Sequence, residues 1–291
     1  MKLSIITLTY NKLKYTKKYI ESLYKYTKDF ELIIVDNGST DGTREYLQSL
    51  DGVKLIFNEE NVGFSKGNNQ GLELAEGEYI GFLNNDILLF PDWFEKCEKV
   101  FQQENAGFVG PRHINPHFDN TNEKTYIKYF KNKFNYKKEY EKNFDECVFS
   151  CAITKREVLD KIGNFDENYF PAFFEDNDLK YRAVLEGYGI FVANTVCFFH
   201  FGSVTSKTQD FNLEKNRDYY FSKYPFAEYL SVSGRDRDIY KKIAEDMHAF
   251  PLNWVYSVFL IFRKIKNRLI KLSKGLRKWK FYLMQQNCLI F

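Results

Sequence analysis

The sequence predicts an α/β fold: a mostly parallel sheet flanked by helices, with a C-terminal helical, basic appendage. Three observations predict it. Apolar, β-rich runs recur through the N-terminal third, in "LSIITLT", "FELIIVDN", "VKLIFN" and "YIGFLNND". Segments of helical spacing separate them, and continuous rather than alternating apolar strands belong to sheets covered on both faces. Finally, the net charge of +3 is unevenly spread. All nine Lys/Arg beyond Asp246 lie between Arg263 and Lys280, and subtracting nine from +3 leaves −6 for residues 1–246.

Taken in order, "LSIITLT" is a buried strand that begins at once, and the N-terminus turns polar too soon for a signal peptide. From Asn11 to Tyr26 the groups Leu13, Tyr15, Tyr19, Ile20, Leu23 and Tyr24 repeat near the helical period. A second strand ends at Asp36, and Thr40 to Leu50 reads as a helix capped by Ser39 or Thr40. "VKLIFN", a helix from "GFSKGNNQGLELA", a fourth strand and the helix "DWFEKCEKVFQQ" come after it. Residues 111–146, rich in Lys, Asn and Tyr, lack a clean period and read as a variable, partly mobile insertion. A strand and helix come next at "CVFSCAITKREVLDKIG", then "FFEDNDLKYRA" and a final strand-like run to His200. The division expected is 1–206 as a catalytic domain, 207–250 as a helical extension and 251–291 as an amphipathic tail.

In open α/β sheets, ligands bind outside the carboxyl ends of the strands. Four such ends carry polar groups: Thr9-Tyr10-Asn11, Asp36 with "NGST", Asn58, and Asn84-Asn85-Asp86. Each has a plain structural reading beside a functional one. Asp36 either shapes a turn or accepts a hydrogen bond from a ribose or base. In "NEENVGFSKGNNQGL" the P-loop and dinucleotide patterns are absent; it is a helix start, or it turns Asn61, Lys66 and Asn68 toward a ligand. Asp86 closes an Asx-turn or holds a hard divalent cation, which takes one or two carboxylates plus water and phosphate oxygens. Glu175, Asp176 and Asp178 cap a helix or supply a general base, since clustered carboxylates raise one another's pKa. His200 is structural or completes a metal shell, whereas His113, His117 and His248 have no comparable setting. Five dispersed cysteines, Cys97, Cys147, Cys151, Cys197 and Cys288, suit a reducing cytoplasm.

Together, "SIITLTYN", "LIIVDNGSTDGT", "NVGFSKGNNQGL", "FLNND", "FFEDNDLKYRA" and "FHFGS" resemble, in order, the family 2 glycosyltransferases with the GT-A Rossmann-like fold, over roughly residues 3–205. The later motifs look most like the rhamnosyl- and galactofuranosyl-type branch. The resemblance implies inverting transfer from a nucleotide-diphosphate sugar, UDP- or dTDP-linked, to a glycan or lipid-linked acceptor. It implies Thr9, Tyr10 and Asp36 at the nucleoside, with Tyr10 stacked on the base and Asn11 among the donor-binding residues. Asn84-Asn85-Asp86 takes the place of the family's DxD, with amides at two of its positions. Asp86 and His200 would bind Mn2+ or Mg2+. Asp176 matches the general base, supported by Glu175 and Asp178.

In the tail, Val258, Ile261, Phe262, Ile265, Leu269, Leu272, Leu276 and Trp279 repeat at helical spacing among basic residues. This reads as a helix on an anionic membrane, placing the protein peripherally at the inner face of the cell membrane, or as a helix packed on protein. No base-reading module points to nucleic acid. A nucleotidyltransferase would need a triphosphate loop that "TLTYNKLKY" does not provide, and an inactive scaffold would not need Asp36, Asp86, Asp176 and His200 together.

Overall fold

A computed structural model describes residues 2–114, 123–133, 136–201 and 213–224. The chain divides into two units at Tyr220, and the first, Met1–Tyr220, contains the whole sheet. The predicted alternation is present: β1 (Leu3–Thr9), α1 (Leu13–Tyr26), β2 (Phe30–Asp36), α2 (Thr43–Gln48), β3 (Val53–Phe57), α3 (Phe64–Leu74) and β4 (Tyr79–Leu83). Next come β5 (Ile87–Leu89), α4 (Trp93–Gln103), β6 (Ala106–Ile114), α5 (Glu123–Lys133), β7 (Tyr140–Lys142), β8 (Cys151–Lys155), α6 (Arg156–Ile162), α7 (Glu175–Leu185), β9 (Gly189–His200) and α8 (Leu213–Lys223).

One sheet runs in the order β3-β2-β1-β4-β8-β6-β9-β5, with β7 also paired to β9. The pairs β1–β2, β1–β4, β2–β3 and β6–β9 are parallel, and β8, β5 and β7 run against their neighbours. The strands are apolar throughout because both faces are covered. Leu3, Ile5, Leu32, Ile34, Tyr79 and Leu83 enter a core with Tyr19, Ile20 and Leu23 of α1 and Trp93, Cys97 and Val100 of α4. Their alternates Ile6, Ile33, Ile80 and Phe82 enter the opposite core with Leu72 of α3, Val158 of α6 and Leu179 of α7. The period of two along a strand thus feeds two layers of helix. Helix α3 lies close on β1: a Cβ added at Gly71 would stand 2.5 Å from Ile6 Cγ2.

Three local expectations change. Residues 111–146 are not wholly an insertion: Pro111–Ile114 complete β6, which lies between β8 and β9. Residues Glu123–Lys133 form a helix. The second helix begins at Thr43 after Gly42, not at Ser39 or Thr40. Those two groups are already engaged, because the Asn11 N–H donates to Ser39 Oγ and the Thr40 N–H to Asn11 Oδ1. Asp41 serves both helix starts instead, accepting the N–H groups of Leu13 at 3.1 Å and Thr43 at 3.2 Å. Of the 207–250 extension, Leu213–Lys223 is helical within the described residues. The tail 251–291 lies outside the described residues, as do His117, His248 and Cys288. No helix among the described residues is long and apolar enough to cross a membrane. Cys97, Cys147, Cys151 and Cys197 are buried free thiols.

Candidate active site

The carboxyl ends of β1, β2 and β4 open on a cleft of about 300 Å³. Its lining includes Thr9, Tyr10, Asn61, Asn84, Asn85, Asp86, Glu175, Asp176 and His200, all named by the sequence. The backbone after β4 turns at Asn84-Asn85-Asp86 into β5, and β5 pairs antiparallel with β9, Ile87 opposite His200. The Phe201 N–H donates to Asp86 O at 2.9 Å, extending that ladder. This pairing brings together two residues 114 positions apart: His200 Nε2 stands 3.0 Å from Asp86 Oδ1.

The turn that carries Asp86 and the His200 ring are each held from behind. Asn85 Nδ2 donates to Thr16 Oγ1 of α1 at 2.9 Å, fixing the turn. The Asn84 N–H donates to Ser150 O at 3.0 Å, and Ser150 Oγ lies 3.5 Å from His200 Nδ1. Ser150, which sequence reasoning missed, therefore touches the His200 ring and the turn that carries Asp86. Its only signal is position just before β8, which lies beside β4 in the sheet.

The pair fits a hard divalent cation. Two neighbouring ligand atoms on an octahedron with bonds of about 2.1 Å stand about 3 Å apart, the separation seen here. Among the described residues no cluster of three or more His, Cys, Asp or Glu side chains gathers. An ion held here would therefore complete its shell with phosphate oxygens and water, a common state for Mg2+.

Asp36 has a different role in the geometry. It is fully buried and opposite Thr9 in register. Oδ2 accepts Thr9 Oγ1–H at 2.8 Å, and Oδ1 accepts the Ser39 N–H and Arg44 Nε–H, both at 2.9 Å. Asp36 thus organises the floor beneath the cleft, while its neighbour Asn37 lines it. Asn37, which the sequence placed at the polar end of β2 without a role of its own, bridges Gly63 O and the Asn58 amide. Asn11 is spent on Thr40, and Asn68 Nδ2 on Phe64 O at 2.9 Å within α3. Neither they nor Lys66 line the cleft.

The opposite wall is the start of α7. Phe173 and Phe174 both have positive φ, 80° and 73°. Such backbone costs of order 1–3 kcal/mol per residue and persists only where its surroundings hold it. Asn216 of α8 donates through Nδ2 to Ala172 O at 2.9 Å and Phe173 O at 3.3 Å. Asp178, at the first turn, is buried and outside the cleft. It accepts Tyr169 O–H at 3.2 Å and Arg182 Nε–H at 2.8 Å, fastening the helix start. Glu175 faces the cleft but is almost wholly buried, and among the described residues its Oε2 has no hydrogen-bond partner. Burial first, and the neighbouring Asp176 charge second, push its pKa well above the usual carboxylate value. Asp176 is the more open of the two, with a quarter of its side chain exposed.

His113, set aside by the sequence, stacks on Phe198 at 5.2 Å and lies 5.6 Å from the His200 ring, centroid to centroid. It does not line the cleft. Burial, and less so His200, lower its pKa to about 4.

Comparison with known proteins agrees with this architecture. The profile of "Glycosyl transferase family 2" matches residues 4–163. An uncharacterized glycosyltransferase of Rickettsia felis is 31% identical over 175 residues, 58% of this chain and 27% of that protein. A putative teichuronic acid biosynthesis glycosyltransferase of Bacillus subtilis, TuaG, is 34% identical over 110 residues, 36% of this chain and 44% of its own. The chain thus spans less than half the length of these relatives. Among solved structures, S. aureus TarS 1–349 with UDP has a TM-score of 0.56 at 19% identity, covering 82% of this chain and 78% of that one. GalNAc-T7 with UDP, GalNAc and Mn2+ has a TM-score of 0.58 at 14% identity, covering 87% and 55%. At such identities the structures speak to the fold, which is that of the GT-A enzymes. The profile covers more than half of the chain, and with it the protein belongs to glycosyl transferase family 2.

Proposed function

We propose that this protein is a metal-dependent, inverting glycosyltransferase. It moves a sugar from a UDP- or dTDP-linked donor to a hydroxyl of a glycan or lipid-linked acceptor in surface polysaccharide synthesis. The observation that carries this reading is the presence, in one cleft, of the Asp86–His200 pair and the open carboxylate of Asp176. Complexes of TarS with UDP and UDP-GlcNAc, and the naming of TuaG for teichuronic acid, support the donor class and the pathway type.

Mn2+ or Mg2+ held by Asp86 and His200 would neutralise charge that grows on the departing diphosphate. Tyr10 offers a ring to the base, and Thr9, Asn37 and Asn61 line the cleft with it. Asn84 and Asn85 border the diphosphate end. Asp176 takes the proton of the acceptor hydroxyl as its oxygen attacks the anomeric carbon. The anomeric carbon–phosphate oxygen bond breaks as the new bond forms on the opposite face, so the anomeric centre inverts. Phe149 and Phe173 in the lining keep water from competing for that carbon. Residues 251–291, if seated on an anionic membrane, would bring the cleft to a lipid-linked acceptor.

A panel of nucleotide sugars, screened by thermal shift with and without Mn2+, identifies the donor. With that donor, Asp176→Asn should lower turnover by about 10²–10⁴-fold and leave donor binding by calorimetry intact. Equal loss of binding and turnover would count against Asp176 as the base.

A further inference from the structure

Lys180 lies one helical turn after Asp176 and, among the described residues, is the only lysine in the set of largest fully buried side chains. A desolvated ammonium is unfavourable unless its three donors are engaged. Two of them reach backbone carbonyls of the segment before β8: Phe144 O at 3.1 Å and Cys147 O at 3.2 Å. The third direction faces Asp176 Oδ2 at 3.7 Å, an ion-pair distance. The Phe144 ring packs on the ammonium at 4.6 Å. The segment so anchored continues into Val148, Phe149 and Ser150, all of which line the cleft.

We propose that Lys180 is a positioning residue for the general base: its anchored ammonium holds the Asp176 carboxylate at the cleft and ties α7 to the Phe144–Ser150 segment. The inference rests on the reading of Asp176 given above. Among the described residues, the groups facing Asp176 are few. On its own helix they are Lys180 and Glu175, Asp178 being engaged by Arg182. From the segment before β8 comes the Cys147 thiol, pushed up by burial to about 12. Asp86 and His200 share the cleft. Lys180 is the one fixed positive charge in this set. Asp176 is held through both oxygens, Oδ2 facing the ammonium at 3.7 Å and Oδ1 accepting the Asn177 N–H at 2.8 Å. Burial pushes the neighbouring Glu175 carboxyl up, and its Oε2 lacks a hydrogen-bond partner among the described residues.

The test uses the full chain with the donor that the thermal-shift panel identifies. Lys180→Met should lower turnover by about 10–10²-fold and leave calorimetric donor binding within about 2-fold, and Lys180→Arg should recover part of the loss. In an Asp176→Asn background Lys180→Met should lower turnover no further, because it acts through that carboxylate. Lys180→Gln, which retains an amide donor for Phe144 O or Cys147 O, serves as the second variant if Lys180→Met does not fold. Wild-type turnover in a folded Lys180→Met or Lys180→Gln protein, or a full further loss in the Asp176→Asn background, overturns the proposal. Full turnover by Asp176→Asn would instead remove the base assignment itself.

Discussion

His200 Nε2 meets Asp86 Oδ1 at 3.0 Å because β5 and β9 pair antiparallel at the sheet edge, with Ile87 opposite His200. Neither residue is a site alone. If the pair binds a cation together with the donor's diphosphate, Asp86→Ala and His200→Ala should each abolish the increase in UDP affinity that Mn2+ produces, and leave metal-free UDP binding nearly unchanged. Calorimetric titration of UDP with and without Mn2+ reads this directly. An Mn2+ increment of wild-type size in both variants would remove the pair from metal binding.

Asp36 should prove a stability residue as much as a binding one. Asp36→Ala leaves Arg44 and Thr9 without their shared acceptor. Removing one partner of a buried pair costs about 3–5 kcal/mol. Arg44 keeps 29% of its side chain exposed, so about 2–3 kcal/mol is expected here after solvent screening. Urea denaturation measures it, and a change within a few tenths of a kcal/mol would show that the network is not stabilising.

Gly63 joins two walls of the cleft. Its φ of 86° and ψ of 175° suit glycine, and a Cβ there would stand 2.9 Å from the Phe170 ring and 3.0 Å from Pro171 O. Pro171 O already accepts the Phe64 N–H at 2.7 Å. Gly63→Ala should destabilise the protein by about 1–3 kcal/mol from backbone strain and weaken UDP binding by spreading the walls. Melting and calorimetry on the same sample would reveal both effects, and an unchanged melting temperature contradicts the strain.

Glu175 sets a pH dependence whose sign is fixed by its burial. Its folded pKa is raised, so above the unfolded carboxylate value the native state binds more protons than the unfolded chain. Its contribution to stability is therefore present at acid pH and is lost as pH rises from that value toward the raised one. Glu175→Gln should be more stable than wild type near pH 8, with the advantage shrinking toward pH 5. Urea melts across that range check it, and an advantage that grows toward acid pH would refute the assignment.

Much of this was legible before any coordinates. The apolar runs located β1 to β4, because strands covered on both faces must be apolar at every position. Topology then sent their polar ends to one edge. What stayed illegible was hydrogen-bond partnership. Asn11, Asp36 and Asn68 have the chemistry of ligand-binding groups, yet their side chains satisfy Thr40, Thr9 with Arg44, and Phe64. No local pattern records where a buried donor finds its acceptor. The missing period of residues 111–146 concealed the end of β6 for a related reason: Pro111, Arg112 and His113 do not read as strand interior, but pairing with β9 holds them there.

The sequence by itself determined the alternating β-α order, the family and the identities of the reactive groups. These come from periodicity and from motifs that are contiguous in the chain. Only the tertiary structure decided which groups act together. It set His200 against Asp86, placed Ser150 against His200 and Asn84, and brought Lys180 to the side of Asp176 with its other donors on Phe144 and Cys147. The reason is physical: a buried charge or amide takes its function from partners far along the chain, and folding alone brings them within hydrogen-bond reach.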